Sequence, residues 1–205
     1  MLKLYFSPQS CALASHIALE EAGADYQAVR VDLANGEQRQ SDYLKINPKG
    51  RVPALVTDRG ILTETPAILF YVAQTHPKVQ LAALDDPFEI GRLQAFISYL
   101  CSTVHVAHAH RIRGYRWADD EASFADMRRK VPQTVGECFQ LIEREMFTGP
   151  WVMGERFSIA DPYLYTLTTW LESDGIDPSR FPKIADHRQR MSARPAVAKI
   201  LSAHG

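Results

Sequence analysis

The chain has 205 residues, 46% of them hydrophobic and 23% charged, with a formal net charge of -1. This is ordinary composition for a globular protein with a real core, built as one large domain or two small ones. The near-neutral charge argues against a nucleic-acid-binding face or a polybasic membrane patch, and no apolar run nears the roughly 20 residues of a membrane span.

The N-terminal stretch MLKLYFSPQS lacks the long apolar core of a secretory signal. The three cysteines, Cys11, Cys101 and Cys138, are an odd number at wide spacing. Both observations predict reduced thiols in a cytoplasmic protein. The absence of a Cys-x-x-Cys pair disfavours a dithiol redox centre or a cysteine-rich zinc module.

Leu2, Leu4 and Phe6 alternate with Lys3 and Tyr5, the period of a short strand. Ser7-Pro8-Gln9-Ser10 is turn composition, and Pro8 ends the ladder. Leu13 and Ile17 then follow helical spacing towards Gly23, a natural residue just past a helix end. Ser10 is the predicted N-cap, which puts Cys11 in the first turn. Free backbone N–H groups and the positive end of the helix dipole would lower its thiol pKa there. The competing reading is a buried structural cysteine.

Tyr26 to Leu33 reads as a second strand, parallel to the first across a right-handed βαβ unit. Residues 34–41 form a loop and 42–45 a single helical turn. Asn47-Pro48-Lys49-Gly50 is another turn, and Arg51 to Val56 a third strand whose Val52-Pro53 bond can be cis. Asp58-Arg59-Gly60 reverses the chain into Ile61-Leu62-Thr63, an antiparallel fourth strand. A helix follows, with Thr65 as N-cap, Pro66 at N1 and Ala67, Ile68, Tyr71 and Val72 as its packed face.

Residues 1–77 therefore form an α/β unit, 78–87 a linker and 88–205 an all-helical domain. One helix runs from Phe88 to about Arg113 and bends at Gly114-Tyr115-Arg116-Trp117. A second runs from Ala122 to Met146, and Pro132 should kink or restart it. Ser158-Ile159-Ala160-Asp161 is a capping box that opens a buried central helix through Leu164, Leu167 and Leu171. Short helices at 186–191 and 196–203 flank Pro195. Cys101, His105 and His108 share one helix face at metal-ligand spacing, but a fourth ligand is not evident, and no metal is expected.

The order β-α-β, loop, β-β-α is that of a thioredoxin-like domain. The segments YFSP, Cys11, NPKGRVPAL and LTETPAILFYVA together resemble the N-terminal domain of cytosolic glutathione transferases, with the cysteine similar to the bacterial beta class. GERFSIAD resembles the folding motif of that family, which gives Ser158 and Asp161 structural roles. The resemblance implies a mixed four-stranded sheet followed by an all-α domain, a homodimer, and glutathione as co-substrate.

Backbone groups at Val52-Pro53 would pair with the cysteinyl unit of glutathione. Glu64 and Thr65, at a helix N-terminus, would hold its γ-glutamyl end. Ser10, Arg51 and Ser102 complete the implied cofactor contacts, with Arg51 supplying charge for a carboxylate because the loop at 34–37 has no lysine. Ser98 and Val106 stand where the family commonly has asparagine and lysine. Cys11 and His105 are the implied catalytic pair, a neutral imidazole sharing the proton of the glutathione thiol. Tyr5, Phe6, His108, Ile112, Tyr115 and Trp117 would shape an apolar pocket for a small hydrophobic electrophile.

The activity so implied is detoxifying conjugation, with a thiol-disulfide or peroxide variant through Cys11 and a mechanism based on Tyr5 as alternatives. A second hypothesis is a non-catalytic, glutathione-dependent carrier of apolar ligands. Neither involves nucleic acid or a membrane.

Overall fold

The computed structural model describes residues 1–204. The four expected strands, β1 (Leu2–Phe6), β2 (Tyr26–Arg30), β3 (Ala54–Thr57) and β4 (Gly60–Thr63), form one sheet in the order β2-β1-β3-β4. β1 pairs parallel with β2 and antiparallel with β3, and β4 returns antiparallel on β3. β2 stops at Arg30, although the Val31 N–H still donates to the Phe6 carbonyl at 2.7 Å. β3 begins only after Pro53, which has no N–H to give a ladder, and the Val52-Pro53 peptide is cis.

α1 (Ala12–Glu21) is buried on every side from Ala12 to Leu19, because the sheet covers one face and the last helices of the chain cover the other. It ends in a Schellman motif: Gly23 N–H donates to Glu20 at 3.0 Å and Ala24 N–H to Leu19 at 3.1 Å, with Gly23 at φ +62°. After α2 (Ser41–Leu44), α3 (Thr65–Thr75) departs from expectation at its start. Glu64, not Thr65, is the N-cap, at φ +72°, and Thr65 is already a buried helical residue. The packed face of α3 is Ile68, Leu69, Val72 and Ala73, while Ala67 is exposed.

In the helical half, Asp86 caps α4 (Pro87–Tyr99) by accepting from the Phe88 and Glu89 amides at 2.9 and 3.2 Å. A π-helical turn, Leu100–Val104, follows, and the His105 N–H donates to Leu100 five residues back. α5 (His105–Ala109) and a 3₁₀ turn at Gly114–Arg116 lead to α6 (Glu121–Leu141). α6 runs through Pro132 without restarting, with Val131, Val135 and Phe139 anchoring the turns around it in the core. It too ends in a π turn, Ile142–Met146, whose buried Glu143 accepts the Lys183 and Ile184 amides at 3.0 Å. Those amides are otherwise orphan donors at the start of α8 (Pro182–Ser192).

Every residue of α7 (Ala160–Thr168) is buried. α9 (Pro195–His204) includes Pro195 as its first residue, as suits proline in a first turn, where the expectation had it between the last two helices. One apolar cluster runs from Leu4, Leu55 and Ile68 into Leu100, Phe139, Leu164 and Phe181. A second joins Leu13 and Ile17 of α1 to Tyr165, Met191, Val197 and Ile200. Each such side chain contributes roughly 1.5–3 kcal/mol on burial, so the two halves are cemented together and the cleft between them has fixed walls. Among the described residues no helix is long and apolar enough to cross a membrane.

Candidate active site

The turn Ser7–Ser10 is locked locally: the Ser10 hydroxyl donates to the Ser7 carbonyl at 2.7 Å and accepts from the Ala12 amide at 3.3 Å. Cys11, and not Ser10 as expected, stands at the N-cap position of α1, while the Ser10 hydroxyl, taking the Ala12 amide, is already committed. Cys11 adopts helical angles just before α1, half-buried, and its thiol donates to the Val52 carbonyl at 3.5 Å. The expected lowering of its pKa does not occur. Burial pushes the Cys11 thiol up, outweighing the Thr65 hydroxyl and the Arg113 charge, which both act to lower it.

Val52 is held from behind. Its neighbour Arg51 has a carbonyl that accepts from both the Tyr43 hydroxyl at 2.7 Å and the Asn47 amide at 2.6 Å. Glu64 lies at the edge of the same pocket in a left-handed conformation that few non-glycine residues hold without support. That support includes Lys49, whose ammonium meets the Glu64 carboxylate at 2.5 Å and the Thr63 hydroxyl at 2.7 Å. Lys49 was legible in the sequence only as part of a turn. Cys11, Val52, Glu64 and Thr65 are thus brought together as expected.

The helical half reaches this pocket through Trp170. Its indole N–H donates to the Gln9 carbonyl at 3.2 Å, tying the cysteine turn to the residues that follow α7. His108 stacks on that indole at 4.2 Å and His105 tilts against it at 5.1 Å. His105 is therefore beside the turn of Cys11. Burial first, then His108, Arg113, Arg116 and Arg51, drive its pKa down to about 3, so the imidazole is neutral. A π turn immediately before it sets the direction of this residue, a feature the helical spacing did not reveal.

One expected site residue lies elsewhere, and the others are engaged within the chain or open to solvent. Phe6 lies in the core against His16 and His204, at 4.9 and 4.7 Å, and not in a pocket: it shares with Leu4 the sheet face that α1 and α9 cover. His108 is spent on the buried Asp174, whose carboxylate its Nδ1 meets at 2.8 Å and which Arg111 also approaches at 3.2 Å. Ser102 is exposed and donates back to the Ser98 carbonyl at 2.8 Å. Tyr5 packs edge-on against Tyr43 at 5.8 Å. Ile112, Tyr115 and Trp117 are exposed, as is Arg51. Among the described residues no group of three or more His, Cys, Asp or Glu side chains is arranged to hold a metal ion.

Asp161 completes the capping box and does more. It accepts from the Ser158 amide at 2.7 Å, from the Val152 amide at 2.9 Å and from His187 at 3.0 Å, wholly buried. The Ser158 hydroxyl takes the Ala160 amide at 3.3 Å, one residue earlier than a standard box.

Residues 1–74 match the family model described as the glutathione S-transferase N-terminal domain, and residues 106–195 that of the C-terminal domain. The glutathione S-transferase GstA of Escherichia coli O157:H7 is 33% identical over 206 residues, covering 100% of this chain and 99% of that one. A glutathione transferase homologue from Sulfitobacter, solved with bound glutathione, superposes with a TM-score of 0.96 at 48% identity, covering 99% of this chain and 98% of that one. The bacterial beta-class enzyme of Sphingomonas chungbukensis gives 0.87 at 36% identity, with the same coverage. Both domain models matched in order, and a relative aligned from end to end, lead to one conclusion: the chain belongs to the glutathione S-transferase family of enzymes, with bacterial beta-class members among its structural relatives.

Proposed function

We propose that this protein binds reduced glutathione against Cys11, Val52, Glu64 and Thr65 and conjugates it to small electrophiles with apolar bodies, as a cytoplasmic homodimer with a detoxifying role. The observation that carries this reading is the thiol of Cys11 donating to the Val52 carbonyl beside the start of α3. A cysteinyl amide of glutathione can take over that carbonyl, leaving the protonated Cys11 thiol to donate to the glutathione sulfur. Glu64 and the N-terminus of α3 offer complementary groups to the γ-glutamyl amine and carboxylate. The bound glutathione of the Sulfitobacter homologue supports the same choice of co-substrate.

In this scheme the sulfur attacks an electrophilic carbon, an S–C bond forms, and the leaving group departs with its electron pair. The thiol proton passes to solvent. An imidazole held near pKa 3 is too weak a base to keep that proton, so His105 acts as a hydrogen-bond acceptor and spacer. The charges of Arg51, Arg113 and Arg116, which all act on His105, favour the thiolate instead. A buried, protonated Cys11 is a poor nucleophile towards disulfides at neutral pH, which favours conjugation over thiol transfer.

The test is steady-state turnover of chlorodinitrobenzene with glutathione. Catalysis is expected, and Cys11→Ala should lower kcat/KM by about tenfold, the value of one charge-assisted hydrogen bond. Tight glutathione binding without turnover would point instead to a carrier.

A further inference from the structure

The mouth of the site carries charge for which glutathione alone does not account. A cleft of about 300 Å³ opens there, with Arg39, Lys49 and Arg51 on the α/β side and Tyr115 and Arg116 on the helical side. The half-buried Arg113 stands behind it, and its charge acts on Cys11, His105 and Arg116. Lys49 is neutralised by Glu64. Among the described residues, no carboxylate oxygen lies within 4.0 Å of a guanidinium nitrogen of Arg39, Arg51, Arg113 or Arg116.

A chain of formal net charge -1 thus gathers three guanidinium groups without a carboxylate partner at one opening, with that of Arg113 behind them. Burial first, then the charges of Arg113 and Arg51, push Arg116 below its ordinary range. The glycyl carboxylate and thiolate of glutathione offset two positive charges. Arg39 and Arg51, on the side where the peptide binds, are placed for the carboxylate, which leaves a surplus on the helical wall. That wall also carries Tyr115, and Ile112 and Trp117 in the same segment are exposed as well.

We propose that the second substrate is an organic anion, an electrophile whose carboxylate is held by Arg113 and Arg116 while its apolar body lies along Tyr115 and its neighbours. A guanidinium fork matches a carboxylate in shape and charge, and a cleft lined by one sign of charge concentrates the opposite ion. The proposal rests on the transferase reading and replaces the uncharged electrophile expected from the sequence with a charged one.

The experiment compares two unreactive probes, dinitrobenzoate and dinitrobenzene, by quenching of tryptophan fluorescence in glutathione-saturated protein. The benzoate should bind about tenfold more tightly, as one charge-assisted contact requires, and added salt should erode that preference. Arg113→Gln with Arg116→Gln should abolish it, and Arg116→Gln alone, at an exposed position, should weaken it without touching the fold. Arg59→Gln, on the remote β3–β4 turn, should leave it intact. Equal affinity for the two probes, or a preference that survives the double change in folded protein, overturns the proposal. Turnover of chlorodinitrobenzene is measured alongside. Its absence would remove the transferase reading, while the two affinities still decide the charge of the ligand.

Discussion

At Cys11 two effects of opposite sign meet: a helix start that favours the thiolate and burial that opposes it, and burial prevails. Alkylation of Cys11 by iodoacetamide, followed by peptide mass mapping, should therefore rise about tenfold per pH unit up to and beyond the ordinary thiol value of 9.0. A rate already flat below that pH would contradict the assignment. Asp161 is the other residue on which much depends, since it satisfies two backbone amides, the Ser158 hydroxyl and His187 from one buried position. Asp161→Ala leaves all of these unpaired and should cost about 3–5 kcal/mol in urea unfolding, the range for breaking a buried pair. Ser158→Ala, which removes one cap bond, should cost about 1 kcal/mol.

At the scale of elements, α9 is fastened to α1 by polar contacts that respond to pH. His16 Nδ1 meets His204 Nε2 at 3.0 Å, Arg194 grips Glu21 at 2.5 and 2.7 Å, and Lys199 pairs with Glu20. Burial holds both imidazoles near pKa 4 against 6.5 in an unfolded chain; for His16, Glu20 acts the other way and Lys199 adds to the lowering. Between those values the unfolded chain takes up protons that the folded one refuses, so stability falls as pH drops through that window. The melting temperature should decline from pH 6.5 to 4, and His16→Phe should flatten the decline. A melting temperature level across that range would rule out this fastening.

The elements also show where sequence reading ends. The order of elements along the α/β unit, the cysteine turn and the helix end at Gly23 were legible because each depends on a few adjacent residues, whereas the pairing of β1 with β3 joins segments about fifty residues apart. Legible too were the start of α3, to within one residue, and the buried α7. Phe6 was misplaced because the face β1 buries there is set by α9, nearly two hundred residues away. Lys49, Trp170 and Asp174 escaped notice for the same reason: their partners Glu64, Gln9 and His108 are distant in the chain. The two π turns leave no periodic signature, since one wide turn barely disturbs a helical pattern.

At the scale of the molecule, a continuous core joins the two halves, so the cleft is a built feature and not a hinge. Two large apolar side chains stand exposed, Phe88 at the start of α4, 73%, and Ile61 on the edge strand β4, 43%, and homodimerisation would cover them. Light scattering at micromolar concentration should give twice the chain mass, and Phe88→Glu should shift the balance towards a single chain. A monomer in the unmodified protein would remove this part of the account. The central claim is that the sulfur of glutathione lies against Cys11, and its most direct test is the intact mass after incubation with oxidised glutathione above pH 9.0, where the thiol ionises. One glutathione should add, map to Cys11, leave on reduction and be absent from Cys11→Ser. An adduct found only at Cys101 or Cys138, or none at Cys11 while glutathione still binds, would place the cofactor elsewhere.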